Sequence, residues 1–294
     1  MTSQPASAST NAGLRAILLV VATVLGFAMM NGVNKYLTQD FLVPQVVWAR
    51  FFFANITILL FAAMRPGGWT GLFRTRRPGL QAFRSILMIA STLMFVGALS
   101  LLPLAEVEAI SFAGPLFVVA LSAPLLKERV PASLWVAVVL GFIGVLIIIR
   151  PGFGVMSWAA ALPLCVALLY AAFQIATRRL GGADPQLTSL FYSGLLGLVL
   201  TTAFAPFIWR WPDTEGWFLM AASGFLGAAS HFMLIKALEL APASLLQPFT
   251  YVQLVGAVII GYVVFGNVPD LWTWIGGLVI VGSGLYVVLR QRRR

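Results

Sequence analysis

The sequence predicts an all-α integral membrane protein of ten transmembrane helices, built as two inverted five-helix repeats. Three observations predict it. Of 294 residues, 60% are hydrophobic and only 10% charged, more apolar surface than one water-soluble domain can hide. Apolar runs of about 20 residues recur along the chain, each able to cross ~30 Å of hydrocarbon at ~1.5 Å per residue, whereas a β-barrel would show a weaker alternating pattern. The stretch Ala98–Arg150 is also echoed by Ala237–Arg290: ALSLLPLAEVEAISFAGP recurs as ALELAPASLLQPFTYVQL, and LLKERVP before a Gly-spaced apolar run recurs as VVFGNVP before a similar one. Two copies of a hairpin of spanning helices indicate a duplicated membrane unit with its site between the copies.

The spans read, in order, Leu14–Thr38, Pro44–Met64, Pro78–Leu101, Ala105–Leu126, Pro131–Ile149, Met156–Leu180, Pro185–Ile208, Thr214–Glu239, Pro242–Phe265 and Asp270–Leu289. They divide the chain into a cytoplasmic tail (1–13), a first repeat (14–150), a second repeat (151–290) and a basic cytoplasmic tail (291–294). Met1–Asn11 lacks a basic segment before the first apolar run, so that run reads as a retained helix and not a cleaved leader. Prolines 44, 78, 131, 185, 242 and 269 open or just precede runs, where a missing N–H costs least, so the connections are short.

Orientation follows from the basic residues. With a cytoplasmic N-terminus, the inner side receives Arg15, Arg65, Arg74, Arg76, Arg77, Arg84, Lys127, Arg129, Arg178, Arg179 and Arg290 to Arg294, and the outer loops keep little beyond Arg150 and Arg210. Both termini are therefore expected in the cytoplasm. Trp209, Trp211 and Trp217 cluster where an outer interface is expected and read as anchors. Five helices per copy is an odd number, which turns the second copy over relative to the first.

The net charge of +10 sits in short loops, so it reports topology and not nucleic-acid binding. The single cysteine, Cys165, permits no intramolecular disulfide and reads as inert packing within an apolar run. One His and one Cys exclude a clustered metal centre, and there is no GxSxG motif or phosphate loop, so neither an enzyme nor a cofactor is expected. The expected partners are a small-molecule substrate and the lipid bilayer, with the chain monomeric. Carboxylates are few and near span ends, which favours facilitated or weakly coupled movement over strong ion coupling.

Polar groups within spans are costly, so each should face a cavity, a partner or the interface. Glu108, Ser111 and Phe112 share one helix face, and the repeat equates them with Gln247, Thr250 and Tyr251. Two such faces could line one cavity from opposite sides, or serve as interhelical glue with aromatic filler. Asn31, Asn34 and Lys35 form a second polar stripe, where Lys35 either receives an anionic group or snorkels to the headgroups. Arg50 lies deeper and pairs with Glu106, Glu108 or a substrate carboxylate. His231, the only histidine, is either a proton-sensitive substrate contact or a neutral imidazole bonded to a neighbouring helix. Trp48, Tyr170 and Tyr192 join the site as aromatic wall through their polar neighbours. Gly141, Gly144, Gly276, Gly277, Gly282 and Gly284 read as small-residue packing positions.

Several of these segments resemble a known family. Ala98-Leu99, Pro103-Leu104-Ala105, Gly114-Pro115, Lys127-Glu128-Arg129, Gly141-Phe142-Ile143-Gly144-Val145 and Arg50-Phe51 resemble the EamA repeat of the drug/metabolite transporter superfamily. The second copy departs where Gly266-Asn267 stands in place of Lys127-Glu128. The whole chain is most similar to the YddG-type exporters of aromatic amino acids. That resemblance implies a ten-helix inverted-repeat basket with cytoplasmic termini in a bacterial inner membrane. It further implies a central cavity lined mainly by the third, fourth, eighth and ninth helices. The resulting expectation is an alternating-access carrier exporting small amphipathic metabolites, aromatic or other large apolar amino acids first among them. The alternatives are another substrate class of the superfamily (drugs, sugars, nucleotide derivatives), a channel, or a membrane binding protein that does not transport.

Overall fold

A computed structural model describes residues 6–64, 68–126, 131–150, 158–180 and 183–292. These residues are helical with short connections, and no strand occurs among them. The helices are α1 (Ala6–Leu37), α2 (Val43–Ala63), α3 (Pro78–Leu101), α4 (Leu104–Ser111), α5 (Gly114–Leu126), α6 (Ala132–Ile149), α7 (Ala161–Leu180), α8 (Gln186–Thr202), α9 (Ala205–Ile208), α10 (Thr214–Leu240), α11 (Ala243–Leu246), α12 (Val252–Phe265) and α13 (Leu271–Arg292). Seven helical stretches among the described residues are long and apolar enough to cross a membrane, and three shorter ones are apolar. The protein is thus a multi-pass membrane protein. Pro103, Pro131 and Pro185 cap α4, α6 and α8, Pro44 lies in the first turn of α2, and Pro78 opens α3.

Three departures from the sequence reading have local causes. The first helix begins at Ala6, inside the expected tail, and α13 extends to Arg292. The expected fourth span is broken after Ser111: Pro115 has no N–H to give the Ser111 carbonyl, and its ring crowds that turn, so α4 ends and α5 starts at Gly114. The expected ninth span is likewise not one helix, since α11 passes into a 3₁₀ turn over Gln247–Tyr251 around Pro248 before α12 begins.

Helix α1 packs along α10 and α12, and α7 packs along α3 and α5. Helix α2 lies against α10 and α8, α8 also against α3, and α6 against α13. Small residues permit these contacts. A Cβ on Gly26 would strike Ser230, one on Gly224 would meet Phe53 and the Ala54 backbone, and one on Gly144 would sit 2.9 Å from the Gly276 carbonyl oxygen. Of the glycines expected to pack, Gly141, Gly144, Gly276 and Gly284 do so, whereas Gly282 faces open space. Leu18, Leu60, Ile86, Val139, Phe218, Val263 and Leu278 are exposed on the outside of the bundle, as a lipid-facing surface requires. Cys165 belongs to that exposed surface and not to the packed interior expected for it.

Arg84 is not an interfacial charge as the loop count assumes: it is 3% exposed, and its guanidinium bonds the Ser189 carbonyl and the hydroxyl of Ser193. Arg65, Lys127, Arg129, Arg293 and Arg294 lie outside the described residues, as do the side chains of Arg290 and Arg292.

Polar latches join connections at both ends of the bundle. At one, the Gln45 amide donates to the Arg210 carbonyl (2.6 Å) and accepts from the Arg210 N–H (3.1 Å), while the Arg210 guanidinium donates to the Asp40 carbonyl. At the other, the Asp184 carboxylate accepts from the Thr75 hydroxyl (2.6 Å), the Arg76 N–H (2.9 Å) and the Gln81 amide (2.9 Å). Burial alone would raise the Asp184 pKa, but those three donors and the Arg76 charge outweigh it and hold the group below its ordinary value of 3.8. A depressed folded-state pKa stabilises the fold above the unfolded value, and the contribution is lost as pH falls through the folded value. Asp184→Asn is therefore expected to lower the melting temperature in detergent at pH 7. The difference from wild type should shrink progressively below about pH 4, and an equal difference at pH 7 and pH 3 would contradict this assignment.

Candidate functional site

Arg50 and Arg84 occupy the second turns of consecutive antiparallel helices, each ~10 Å along the axis from its start, so they enter the bundle from opposite ends. His231, well inside α10, lies within electrostatic reach of both. The Nδ1–H of His231 donates to the Gly227 carbonyl (2.8 Å), which fixes the tautomer and leaves Nε2 without a partner among the described residues. Arg84 is well satisfied, since Gln81 joins Ser189 and Ser193 as an acceptor.

Arg50 is different. It lies deep among the helices with part of its surface open, and its guanidinium has neither a hydrogen bond nor an ion pair among the described residues. The expected pairing with Glu106 or Glu108 is absent. Glu108 bonds elsewhere, and the charges that act on Glu106 are those of Asp270, Arg150 and Lys35.

Aromatic rings flank this cationic group. The Arg84 guanidinium lies 4.9 Å over the Phe173 ring, and Phe173 stacks on Tyr170 with centroids 5.7 Å apart. Phe27 meets His231 edge-on at 4.8 Å. Tyr170 keeps 41% of its surface open, so its ring is free to meet a ligand on one side. Guanidinium, imidazole and flat apolar faces together offer donors to an oxygen-bearing anion and a stacking surface to a conjugated ring.

A second cluster centres on Glu108, which is 2% exposed. Its Oε1 accepts from Asn31 Nδ2 (2.7 Å) and Gln253 Nε2 (3.2 Å), and its Oε2 accepts from Gln253 Nε2 (3.0 Å). Beside it, Phe112 and Tyr251 touch with ring centroids 5.3 Å apart. The repeat equates these two aromatics, and the structure brings them face to face.

The remaining expected site residues are placed elsewhere. Asn34 is fully buried and accepts from the Ser223 hydroxyl (2.6 Å), joining α1 to α10. Lys35 neither snorkels nor waits for an anion: its ammonium donates to the Leu99 and Leu102 carbonyls (2.8 and 2.7 Å), closing the C-terminus of α3, and lies 5.4 Å over the Phe265 ring. Trp48 donates to the Thr202 hydroxyl, stacks on Phe52 and meets Trp209 edge-on, within the tryptophan cluster. The Tyr192 hydroxyl donates to the Phe73 carbonyl in the α2–α3 connection. The side chain of Gln247 lies outside the described residues. A cleft of about 280 Å³ at the end of the bundle where α1 meets α10 is lined by Tyr36, Asp40, Arg210, Trp211 and Glu215, and holds none of the expected residues.

Sequence reasoning missed Arg84, Phe173 and Gln253. Arg84 counts toward topology in a loop-by-loop reading, although Gln81 and Ser85 at helical spacing mark a polar face around it. Gln253 escapes because the equivalent position in the first copy is Gly114, so the repeat gives it no match.

A polar core of this kind inside a bundle of spanning helices defines a membrane transport protein. The chain belongs to the EamA-like transporter family, whose profile matches residues 14–150 and again 157–290. It is 28% identical to a riboflavin transporter of Vibrio cholerae, over 96% of this chain and 95% of that protein. It is 25% identical to an S-adenosylmethionine uptake transporter of Rickettsia prowazekii (95% and 94% covered) and 26% identical to a pseudopaline exporter of Pseudomonas aeruginosa (90% and 93%). A solved crystal structure covering 98% of both chains superposes with a TM-score of 0.62 at 20% identity, which shows the shared fold alone. These relatives are named for both uptake and export, and for substrates other than aromatic amino acids.

Proposed function

We propose that the protein is an alternating-access carrier of ten spans in two inverted halves. Its substrate is a small amphipathic metabolite with a flat ring and an anionic, oxygen-bearing end. The unpaired Arg50 guanidinium carries the substrate class: a cation deep in the bundle, open on part of its surface and without a partner among the described residues, is costly within a membrane, and a substrate anion supplies the missing partner. Phe27, Tyr170 and Phe173 would take the ring. Riboflavin and S-adenosylmethionine, for which two relatives are named, both carry a flat ring system on a polar chain; S-adenosylmethionine and the aromatic amino acids add a carboxylate, whereas riboflavin offers only hydroxyls to the guanidinium.

The inverted architecture is supported by the packing. Exchanging the halves, α1 with α7, α2 with α8, α3 with α10 and α5 with α12, turns each major helix contact into another observed contact and leaves α2–α8 and α6–α13 as self-pairs. Contact between the equivalent rings of Phe112 and Tyr251 is what an axis relating the halves would produce. We place the chain in a bacterial inner membrane with both termini cytoplasmic, from the asymmetry of its basic loops. An inside-negative potential favours outward movement of a substrate with net negative charge by ~2.3 kcal/mol per charge per 100 mV, whereas a neutral or zwitterionic substrate feels no such bias and needs another driving force for export.

The test is flux into proteoliposomes with labelled riboflavin, S-adenosylmethionine, tryptophan and phenylalanine, with a sugar and an apolar cation as controls. Saturable, trans-stimulated movement of a ring-bearing compound is expected. Carriage of the sugar or the cation alone would overturn the substrate class, and linear high-rate conductance would overturn the carrier.

A further inference from the structure

We propose that Glu108 is a proton-binding site within the membrane, loaded and emptied as the transporter changes conformation, so that substrate leaves in exchange for an entering proton. The inference rests on the carrier reading above and extends it to the energy source. It begins from three features of the Glu108 cluster.

The carboxyl group is buried, and among the described residues no cation bonds it. Its partners are the two neutral amides of Asn31 and Gln253, one on α1 and one on α12. Among the described residues, no charged group on the elements packed around α4 bonds the Glu108 carboxyl; Arg15 and Tyr36 of α1 and Arg178 and Arg179 of α7 lie toward the ends of their helices. Lys35 of α1 is held by Leu99 and Leu102, Arg84 of α3 by Ser189 and Ser193, and Arg150 of α6 by Asp270. Tyr170 of α7 stacks on Phe173, the Tyr251 hydroxyl before α12 reaches Gly284, and Tyr262 of α12 and Tyr286 of α13 are exposed. On α4 itself, Glu106 bonds neither Glu108 nor its amides. A carboxylate in this setting is held by hydrogen bonds alone, and neutralising it by a proton removes the cost of burying charge.

The cluster also holds idle acceptors. Asn31 Oδ1 is buried with no partner while Nδ2 of the same amide serves Glu108, and the Ser111 hydroxyl one turn on is buried and unpartnered. A carboxylate needs donors, whereas a carboxylic acid has an O–H to give. A flip of the Asn31 amide turns its idle oxygen toward Glu108, so one pair of side chains serves both states. An orphaned buried oxygen beside a carboxyl group is the arrangement expected where the proton is at times present.

Position then links the proton to movement. Glu108 lies one turn before the break between α4 and α5, and its partner Gln253 follows the 3₁₀ interruption before α12. The Phe112–Tyr251 contact covers the same place. Glu108 is thus bonded across the two halves at their broken helices, where a rearrangement of one half against the other must break the Gln253 bonds. The step balances simply: one proton binds a carboxylate oxygen in one state and leaves to water on the other side, with no covalent change.

Infrared difference spectroscopy of the reconstituted protein through a pH titration tests the site without any substrate. A protonated-carboxyl C=O band that titrates in wild type, vanishes in Glu108→Gln and shifts in Asn31→Leu supports the proposal. A band that survives in Glu108→Gln, or a wild type with no such band at any pH where the protein stays folded, overturns it. With tryptophan and riboflavin as transport probes, an acidic lumen should drive accumulation in wild-type vesicles, and the exchange remaining in Glu108→Gln should lose its dependence on lumen pH. If the variant keeps the wild-type pH profile, the coupling role fails although the carrier stands. If neither probe moves but the Glu108 band titrates, the substrate reading fails and the proton site stands.

Discussion

Arg50→Leu is expected to lower substrate flux roughly 100-fold while leaving the melting temperature of the detergent-solubilised protein unchanged or raised. The two halves of this expectation have one cause. Removing one partner of a buried charge pair in a complex costs about 2–5 kcal/mol, and ~1.4 kcal/mol is tenfold in affinity. Without substrate, however, Arg50 has no pair among the described residues to lose, and a half-buried cation without a partner within the membrane is itself a destabilising element. Arg50→Lys should recover only part of the flux, because an ammonium cannot present the planar fork of donors that grips a carboxylate. Flux assays run beside thermal unfolding decide it. A large drop in melting temperature with flux per folded molecule intact would mean that Arg50 is structural. Arg84 makes the contrast: Arg84→Leu would remove the guanidinium's bonds to the Ser189 carbonyl, the Ser193 hydroxyl and the Gln81 side-chain oxygen, and should destabilise the fold whether or not substrate is present.

The helices were legible because a membrane imposes a length and a composition that any chain must satisfy in local sequence. Breaks in them were not. A hydropathy window over Ala105–Leu126 averages across Gly114-Pro115, yet the missing Pro115 N–H ends α4 at Ser111. The repeat pointed to Glu108, Phe112 and Tyr251 as neighbours of one site, and two of them touch. The same reasoning failed wherever the two copies differ. Gln253 has glycine as its counterpart, and Arg84 has Ser223, so neither could be found by matching copies. Lys35 shows a different limit, because its ligands are backbone carbonyls at the end of another helix, and no residue type in the sequence announces a free carbonyl. That a polar residue within a span needs a partner follows from its type, but which partner it finds is decided by tertiary neighbours that spacing along one helix does not reveal.

Gly276→Ala is expected to cost about 1–3 kcal/mol of stability, the usual range for forcing extra volume into a packed contact. A Cβ there would lie 2.5 Å from the Gly144 carbonyl oxygen and 2.5 Å from Ile148 Cγ1, and the reciprocal Cβ on Gly144 would lie 2.9 Å from the Gly276 oxygen. One obstacle is backbone on a neighbouring helix, which cannot rotate away as a side-chain tip can, so α6 and α13 must separate along their whole contact. In lipid that separation is especially damaging, because helix association there depends on close van der Waals packing and not on excluding water. Gly282, on the same helix with nothing near its Cβ position, supplies the control: Gly282→Ala should be neutral or gain up to about 1 kcal/mol from helix propensity. The pair separates steric approach from backbone freedom, since both glycines are helical and only one is crowded. Thermal unfolding of both variants in one detergent is the measurement, and equal melting temperatures would show that α6 and α13 do not rely on this contact. Transport per folded molecule should survive in Gly276→Ala, because the contact joins the last helices of the two halves and touches neither the Arg50–His231 group nor the Glu108 amides.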